Sequence, residues 1–306
     1  MKLHQLQALA GVVEHGGIRA AARAMHLTQA ALTKALRQLE DEAGVALLVR
    51  SARGVALTDA GQRLHARAGL VIRQLALADD ELRQHRGGAE GSLRVGLTPY
   101  LMVTVLGEAF RWFRKRYPRI ELHLVEGLMA RVLPGLRDGR LDFAIVASSG
   151  DLTTQEFDTT PLRSDRQVMV VRRGHPVLER PTAARLAQLE WVLPGPLSHA
   201  MDDSLQAMFT RTGVAPPAQL TRCDALAAIA LVSQSDAVCL MPLPLLAKEQ
   251  GRGLVEVRAR GLQAPGVELV QLSPPGVPLT PAAAYFARCL HDAIMGTGAG
   301  ARQRNV

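Results

Sequence analysis

The chain has 306 residues, three cysteines and a formal net charge of +8. That length suits two or three domains with substantial cores, and the positive balance favours an anionic partner without naming it. No apolar run has the form of a signal peptide or the length of a membrane span, and Cys223, Cys239 and Cys289 show neither C-x-x-C spacing nor an even set. A cytoplasmic protein with reduced thiols and no membrane contact is therefore expected.

Ile18 to Leu39 reads as two short amphipathic helices joined by a tight turn. On the second helix Leu32, Leu36, Leu39 and Ala43 form one stripe, with Ala30, Thr33, Lys34, Arg37 and Asp41 almost opposite. Thr28 stands at its N-cap, where a hydroxyl holds an orphan N–H. No acid occurs from His15 to Leu39, whereas Arg19, Arg23, Lys34 and Arg37 supply positive charge. A helix with a small, hydroxylic and basic outer face suits a major groove. A solvated helix on any globular domain would look similar, so the next segment carries the decision. Ala46–Arg50, a turn at 51–54 and Val55–Leu57 make a small hairpin with Arg50 at its base and Arg53 at its tip. Both arginines suit phosphate or minor-groove contact.

A further helix starts at Thr58, with a hydroxyl cap and Asp59 in the first turn. Gly61, Leu64, Ala68, Val71, Leu75, Ala78 and Leu82 follow at alternating steps of three and four, the seam of a dimerising coiled coil. The glycines between His85 and Gly91 end that helix and mark a boundary. Beyond it strands and helices alternate: strand 92–97, helix 101–117, strand 120–125, helix 130–138, strand 141–147. Later come helices near 202–212 and 225–233, a strand 237–241 and a last helix after Pro281, with a loose tail from Gly296. Such alternation predicts parallel, doubly wound sheets covered by helices. Ligands in these folds sit beyond the carboxyl ends of strands, and Thr98-Pro99-Tyr100 occupies such a point. Thr98 there serves equally as a ligand contact or as a plain helix cap.

Enzyme signatures are missing. The chain has no G-x-G-x-x-G after a strand, P-loop, G-x-S-x-G elbow or H-E-x-x-H. Asp202-Asp203 reads as two acids in a helix's first turn, which complement its dipole. No catalytic role, metal or cofactor is expected.

Residues 1 to about 60 resemble the winged helix–turn–helix of the LysR-type transcriptional regulators. MKLHQLQAL and GIRAAARAMHLTQAALTKALRQLEDEAGVALLVRSARGVALTDAG carry the likeness. One departure is Ala30, where the family usually has proline just inside the recognition helix. The resemblance implies that Gln29, Ala30, Thr33, Lys34 and Arg37, with Thr28 at the helix start, face DNA. It implies a winged helix–turn–helix domain over 1–58, a linker helix and hinge over 59–90, and an effector domain of two α/β lobes, like a periplasmic binding protein, over 91–306. The effector cleft would then be lined by Thr98, Pro99 and Tyr100, by Gly127, Leu128 and Met129, and by Ala147 and Ser148. Pro196, Ser198, His199 and Met241 would form the opposite wall.

The expected function is sequence-specific regulation of transcription by a homodimer or homotetramer on a pseudo-palindromic operator in double-stranded DNA, with RNA polymerase a further partner. An anionic small-molecule inducer would control it. MKLHQLQAL, LLVRSARGVALT and VPLTPAAA look most like members that regulate degradation of aromatic sulfonates or carboxylates, which points to an aromatic inducer. Two alternatives stand beside this reading: a redox-sensing regulator of the same family, and a two-lobed solute-binding protein without DNA function. For the first, Pro196–Thr212 lacks the paired cysteines such a switch would use, although a Cys223–Cys239 bridge stays open at this point.

Overall fold

The computed structural model describes residues 1–51, 54–86, 88, 90–127, 129–148, 156–194, 199–248 and 251–296, without the side chains of 50, 51, 54, 85 and 199–203. It divides into two compact units. The first is Met1–Gly88 with Pro134–Leu141, and the second is Ala89–Leu133 with Asp142–Val306.

The first unit opens with helices α1 (Leu3–Glu14), α2 (Ile18–Ala24) and α3 (Gln29–Ala43). Their apolar stripes meet in one core, with Leu9, Val12, Ala21, Leu32, Leu36 and Leu39 essentially excluded from water. Helix α3 begins as its sequence requires: the Thr28 hydroxyl accepts from the Ala31 N–H at 3.1 Å, and Gly44 in the left-handed region closes the other end. In the turn between α2 and α3, His26 takes φ 55°, a conformation glycine adopts at lower cost. Strands β1 (Leu48–Ser51) and β2 (Gly54–Leu57) form an antiparallel hairpin. The tip arginine, Arg53, lies outside the described residues, as does the side chain of Arg50. Glu40 on α3 accepts from the Leu47 and Leu48 N–H groups at 2.8 and 3.1 Å, which fixes the hairpin against the end of that helix.

Helix α4 (Asp59–His85) is capped by Thr58, whose hydroxyl accepts from the Gly61 N–H at 3.0 Å. Gly61 is required there. A Cβ would lie 2.0 Å from the Leu47 carbonyl oxygen, so only glycine lets α4 pass the hairpin so closely. The expected seam divides in two. Ala68 is buried in the helical core and Leu64 and Ile72 pack on it, whereas Val71, Leu75 and Leu82 stay exposed. The first two turns of the stripe thus serve the unit's own core, and the stripe left for a partner starts at Val71.

The second unit is α/β. Its first half contains β3 (Ser92–Leu97), α5 (Pro99–Thr104), α6 (Leu106–Arg116), β4 (Glu121–Glu126), the start of α7 (Met129–Arg137), whose residues from Pro134 on count with the first unit, and β5 (Phe143–Ser148). The helix expected over 101–117 starts two residues earlier, on Pro99 at N1, and breaks at Val105 (φ −127°). Next comes the long strand β6 (Asp158–Arg172), which the sequence reading did not anticipate. The second half holds α8 (Ala183–Ala187), β7 (Trp191–Pro194), α9 (His199–Thr210), β8 (Leu220–Cys223), α10 (Ala225–Gln234), β9 (Val238–Pro242), α11 (Leu243–Leu246) and β10 (Leu254–Val257). Strand β11 (Gly266–Ser273) then returns to the first half, and α12 (Pro281–Met295) closes the chain.

The strand order is β4-β3-β5-β11-β6-β9-β7-β8, with β10 beside β6. Within each half the pairs β3–β4, β3–β5, β7–β8 and β7–β9 are parallel, as the alternation predicts. The crossing strands are antiparallel, which the alternation did not reveal: β11 against β5 and β6, and β6 against β9 and β10. Strand β6 joins the halves, since residues 158–166 pair with β11 and 167–170 with β9. Phe113, Phe143 and Phe286 centre one apolar core, and Trp191, Met208 and Phe209 the other. No helix among the described residues is long and apolar enough to cross a membrane. The expected loose tail falls almost wholly outside the described residues.

Candidate nucleic-acid interface and effector cavity

Two surfaces collect the residues singled out above. The first is the outward face of α3. Gln29, Ala30, Thr33, Lys34 and Arg37 line one shallow open groove together with Gln38 and Asp41. The apolar stripe of α3 fixes this: with Leu32, Leu36 and Leu39 buried, the residues opposite them must face out. Lys34 and Arg37 are exposed and make no ion pair among the described residues. Thr28 lies outside this groove, and its hydroxyl is engaged as the cap of α3. A groove edge of amide, hydroxyl and cationic groups matches the donors and acceptors of base edges and phosphates.

The second surface is a cavity of about 330 Å³ in the α/β unit, within the size range of small-molecule sites. It lies where the carboxyl ends of β3, β4 and β5 approach those of β7 and β9, the usual ligand position in open α/β sheets. Five of the expected residues line it: Thr98, Pro99, Tyr100, Ala147 and Met241. Gly127, Met129 and Ser148 are not part of its lining. Gly127 instead has a packing role, since a Cβ there would come within 2.1 Å of Val132 Cγ2. Its N–H also donates to the Leu97 carbonyl at 3.0 Å. Leu128, Pro196 and Ser198 lie outside the described residues, as does the side chain of His199, whose backbone starts α9.

The sequence reading missed most of the lining. Met102 and Val103 of α5, Gln167 of β6, Leu226 and Ile229 of α10, and Leu245 of α11 all contribute. Met102 and Val103 sit one helical turn beyond Thr98 and were within reach of helical periodicity. Gln167 had no local signal, because β6 itself was not recognised.

Thr98 does sit at the N-cap of α5, but its side chain makes no cap hydrogen bond, and α5 has only six residues. The helix that follows Thr98 is therefore short, and a second helix, α6, continues after the break at Val105. The Tyr100 hydroxyl is also committed, donating to Asp165 Oδ2 at 2.5 Å, while Arg163 Nη2 donates to the same oxygen at 3.0 Å. Burial, with the Asp165 carboxylate second, pushes the Tyr100 phenol well above its ordinary value and keeps it protonated.

The described part of the lining carries no counter-charge for an anion. Its described polar side chains are Thr98, Tyr100, Glu126 and Gln167, with no lysine or arginine. A buried anion without a cation or a full set of donors is strongly disfavoured.

The three cysteines are free thiols. Cys239 is buried, and that burial pushes its thiol up to about 12; burial likewise pushes Cys289 up to about 11 and raises Cys223. Cys223 on β8 and Cys239 on β9 are separated by β7. Two strand spacings put them roughly 9–10 Å apart, beyond the ~7 Å limit for a disulfide.

Residues 3–62 match the model of the bacterial regulatory helix-turn-helix protein, lysR family, and residues 86–294 that of the LysR substrate binding domain. The HTH-type transcriptional regulator TdcA of Escherichia coli (strain K12) is 31% identical over 193 residues, which cover 63% of this chain and 62% of TdcA. A probable hydrogen peroxide-inducible genes activator of Streptomyces viridosporus is 40% identical over 145 residues, 47% of this chain and 46% of that protein. Among solved structures, full-length CbnR complexed with its target DNA superposes with a TM-score of 0.67 at 22% identity, over 96% of this chain and all of that one. At that identity the likeness speaks to fold alone. The match thus spans less than two thirds of the curated relatives' own length.

Proposed function

The chain belongs to the LysR family of bacterial helix-turn-helix regulators, and on that premise we propose that it is a sequence-specific DNA-binding regulator of transcription, answering to a small molecule held in its α/β unit. The observation that carries this reading is the exposed pair Lys34 and Arg37 on the outer face of α3, without an ion pair among the described residues and flanked by Gln29, Ala30 and Thr33. Arg50 and Arg53 of the hairpin are assigned to the phosphate backbone, and Thr28 to holding the helix start. No catalytic role is assigned to any residue.

The chain acts as a dimer, or a dimer of dimers, in the cytoplasm, with α4 as linker. Support for this is the row Val71, Leu75 and Leu82, exposed on a helix that otherwise serves its own core. Symmetric dimers bind two half-sites, so a pseudo-palindromic operator follows. RNA polymerase is the partner through which such a dimer would alter transcription. In the α/β unit, Thr98, Pro99, Tyr100, Ala147 and Met241 hold the effector. The same cavity lined chiefly by apolar groups supports the aromatic body expected from the sulfonate and carboxylate subgroup, though it does not support that subgroup's anionic head. A ligand that prefers one setting of the two halves shifts their population and, through linkage, the DNA-bound state.

The redox alternative is disfavoured by the raised thiols and by the strand between Cys223 and Cys239, since thiolates are the reactive species. A solute-binding protein without DNA function leaves the whole helix–turn–helix unit unexplained.

The test is selection of genomic fragments by the immobilised full chain, followed by footprinting. The expected result is protection of two half-sites in inverted repeat. Uniform retention of all fragments would contradict sequence-specific regulation.

A further inference from the structure

The polar groups of the α/β cavity are unevenly disposed. Glu126, at the carboxyl end of β4, is exposed at the rim and forms no ion pair among the described residues. Gln167, on the connecting strand, is more than nine-tenths buried, and its Oε1 has no hydrogen-bond partner among the described residues. A buried amide oxygen left unpaired is costly, so a donor from a bound molecule would recover that loss. Glu126 offers acceptors only, and the unpaired atom of Gln167, as its amide is placed, is an acceptor too. Basic side chains, which would answer an anion, are missing from the described lining. The stretches of chain that follow β5 and β7, residues 149–155 and 195–198, also contain no lysine or arginine. The remaining walls are apolar, with Met102, Val103, Leu226 and Ile229 among them.

We infer that the cavity selects an apolar amine: an aromatic or aliphatic body of about the cavity's size, carrying an ammonium group that meets Glu126 and an N–H that meets Gln167. This rests on the reading of the cavity as the effector site and specifies its ligand class. Amide rotation at Gln167 can present either end to a ligand, so Glu126 sets the charge preference and Gln167 adds orientation.

The experiment uses the full chain and three matched probes that differ only at the head group: 3-phenylpropylamine, 3-phenylpropanol and 3-phenylpropionate, with the two-carbon homologues of each. Binding is followed by calorimetry and by thermal shift. The amine should bind tightest and the carboxylate weakest. Glu126→Gln should cut the amine's advantage over the alcohol by about fivefold, the scale of one partly exposed ion pair. Gln167→Leu should weaken amine and alcohol together while preserving their order. A carboxylate that binds as well as the amine overturns the inference, as does an amine preference unmoved by Glu126→Gln. Binding of none of the probes would contradict the effector cavity itself and the inference with it, whereas carboxylate preference would leave the cavity standing and reverse only its ligand class.

Discussion

The Tyr100 hydroxyl and the Asp165 carboxylate meet at 2.5 Å in the interior of the α/β unit, with both residues buried. Tyr100 belongs to α5, directly after β3, and Asp165 to β6, which continues into the other half. The bond therefore ties the start of the cavity-lining helix to the strand that joins the halves. Arg163 donates to the same carboxylate oxygen, so Asp165 keeps a charged partner even when the phenol is removed.

Tyr100→Phe should accordingly cost about 1.5–3 kcal/mol of stability, the worth of a hydrogen bond to a charged group. Urea denaturation of the full chain checks this. A loss well under that range would mean that Arg163 alone satisfies the carboxylate. Because the ring stays in place, ligand affinity should fall less than stability does.

The exposed stripe of α4 gives a second expectation. Leu75→Glu would set two carboxylates facing each other across a dimer seam, and burying them unpaired is strongly unfavourable. The variant should sediment as a monomer at low micromolar concentration where the wild type is dimeric, with its fold intact, since Leu75 lies outside the helical core. Ala68→Glu makes the contrast: Ala68 is buried in that core, so this variant should unfold the first unit instead. A Leu75→Glu chain that stays fully dimeric would move the dimer contact off α4.

His291 sets a pH dependence. Burial lowers its imidazole pKa, and Nε2 lies 2.9 Å from Gln271 Oε1, so the neutral ring donates to that amide. The folded pKa lies below the unfolded value of about 6.5, so the unfolded state binds the proton first as pH falls. The stabilisation is present above about pH 6.5 and is lost as pH drops through the folded pKa. Melting temperature should fall between pH 7.5 and 5, and less steeply in His291→Gln. Equal slopes for the two proteins would remove His291 as the cause.

The local parts of this fold were legible in the chain. Thr28 and Thr58 cap the helices they precede, and β3 runs over 92–97 as its pattern indicates. Each of these depends on contacts a few residues apart. The connecting strand was not legible: the first part of β6 is polar and contains Pro161, which argues against a strand by itself. There Pro161 pairs opposite Val270, beside a register shift at Leu269/Val270 that accommodates it. Gln167 and Glu126 carry no local signal, because only the meeting of β4 and β6 with distant elements makes them cavity walls. The division of the α4 stripe was hidden for the same reason, since periodicity gives the face of a helix and not what covers it. The break after α5 was hidden as well: the pattern after Thr98 reads as one continuous helix, whereas α5 stops after six residues.

Whether α3 reads DNA is decided by the salt dependence of DNA affinity for wild type, Arg37→Ala and Lys34→Ala on a fragment recovered by the genomic selection. A phosphate contact should lose affinity on all sequences and lower the salt slope by about one. A base contact should cost about 1–3 kcal/mol at one operator position and relax specificity there. Each substitution should give one of these two signatures with the fold intact by circular dichroism. Wild-type affinity and salt slope in both variants would contradict this, and with it the assignment of α3 as the DNA-reading helix.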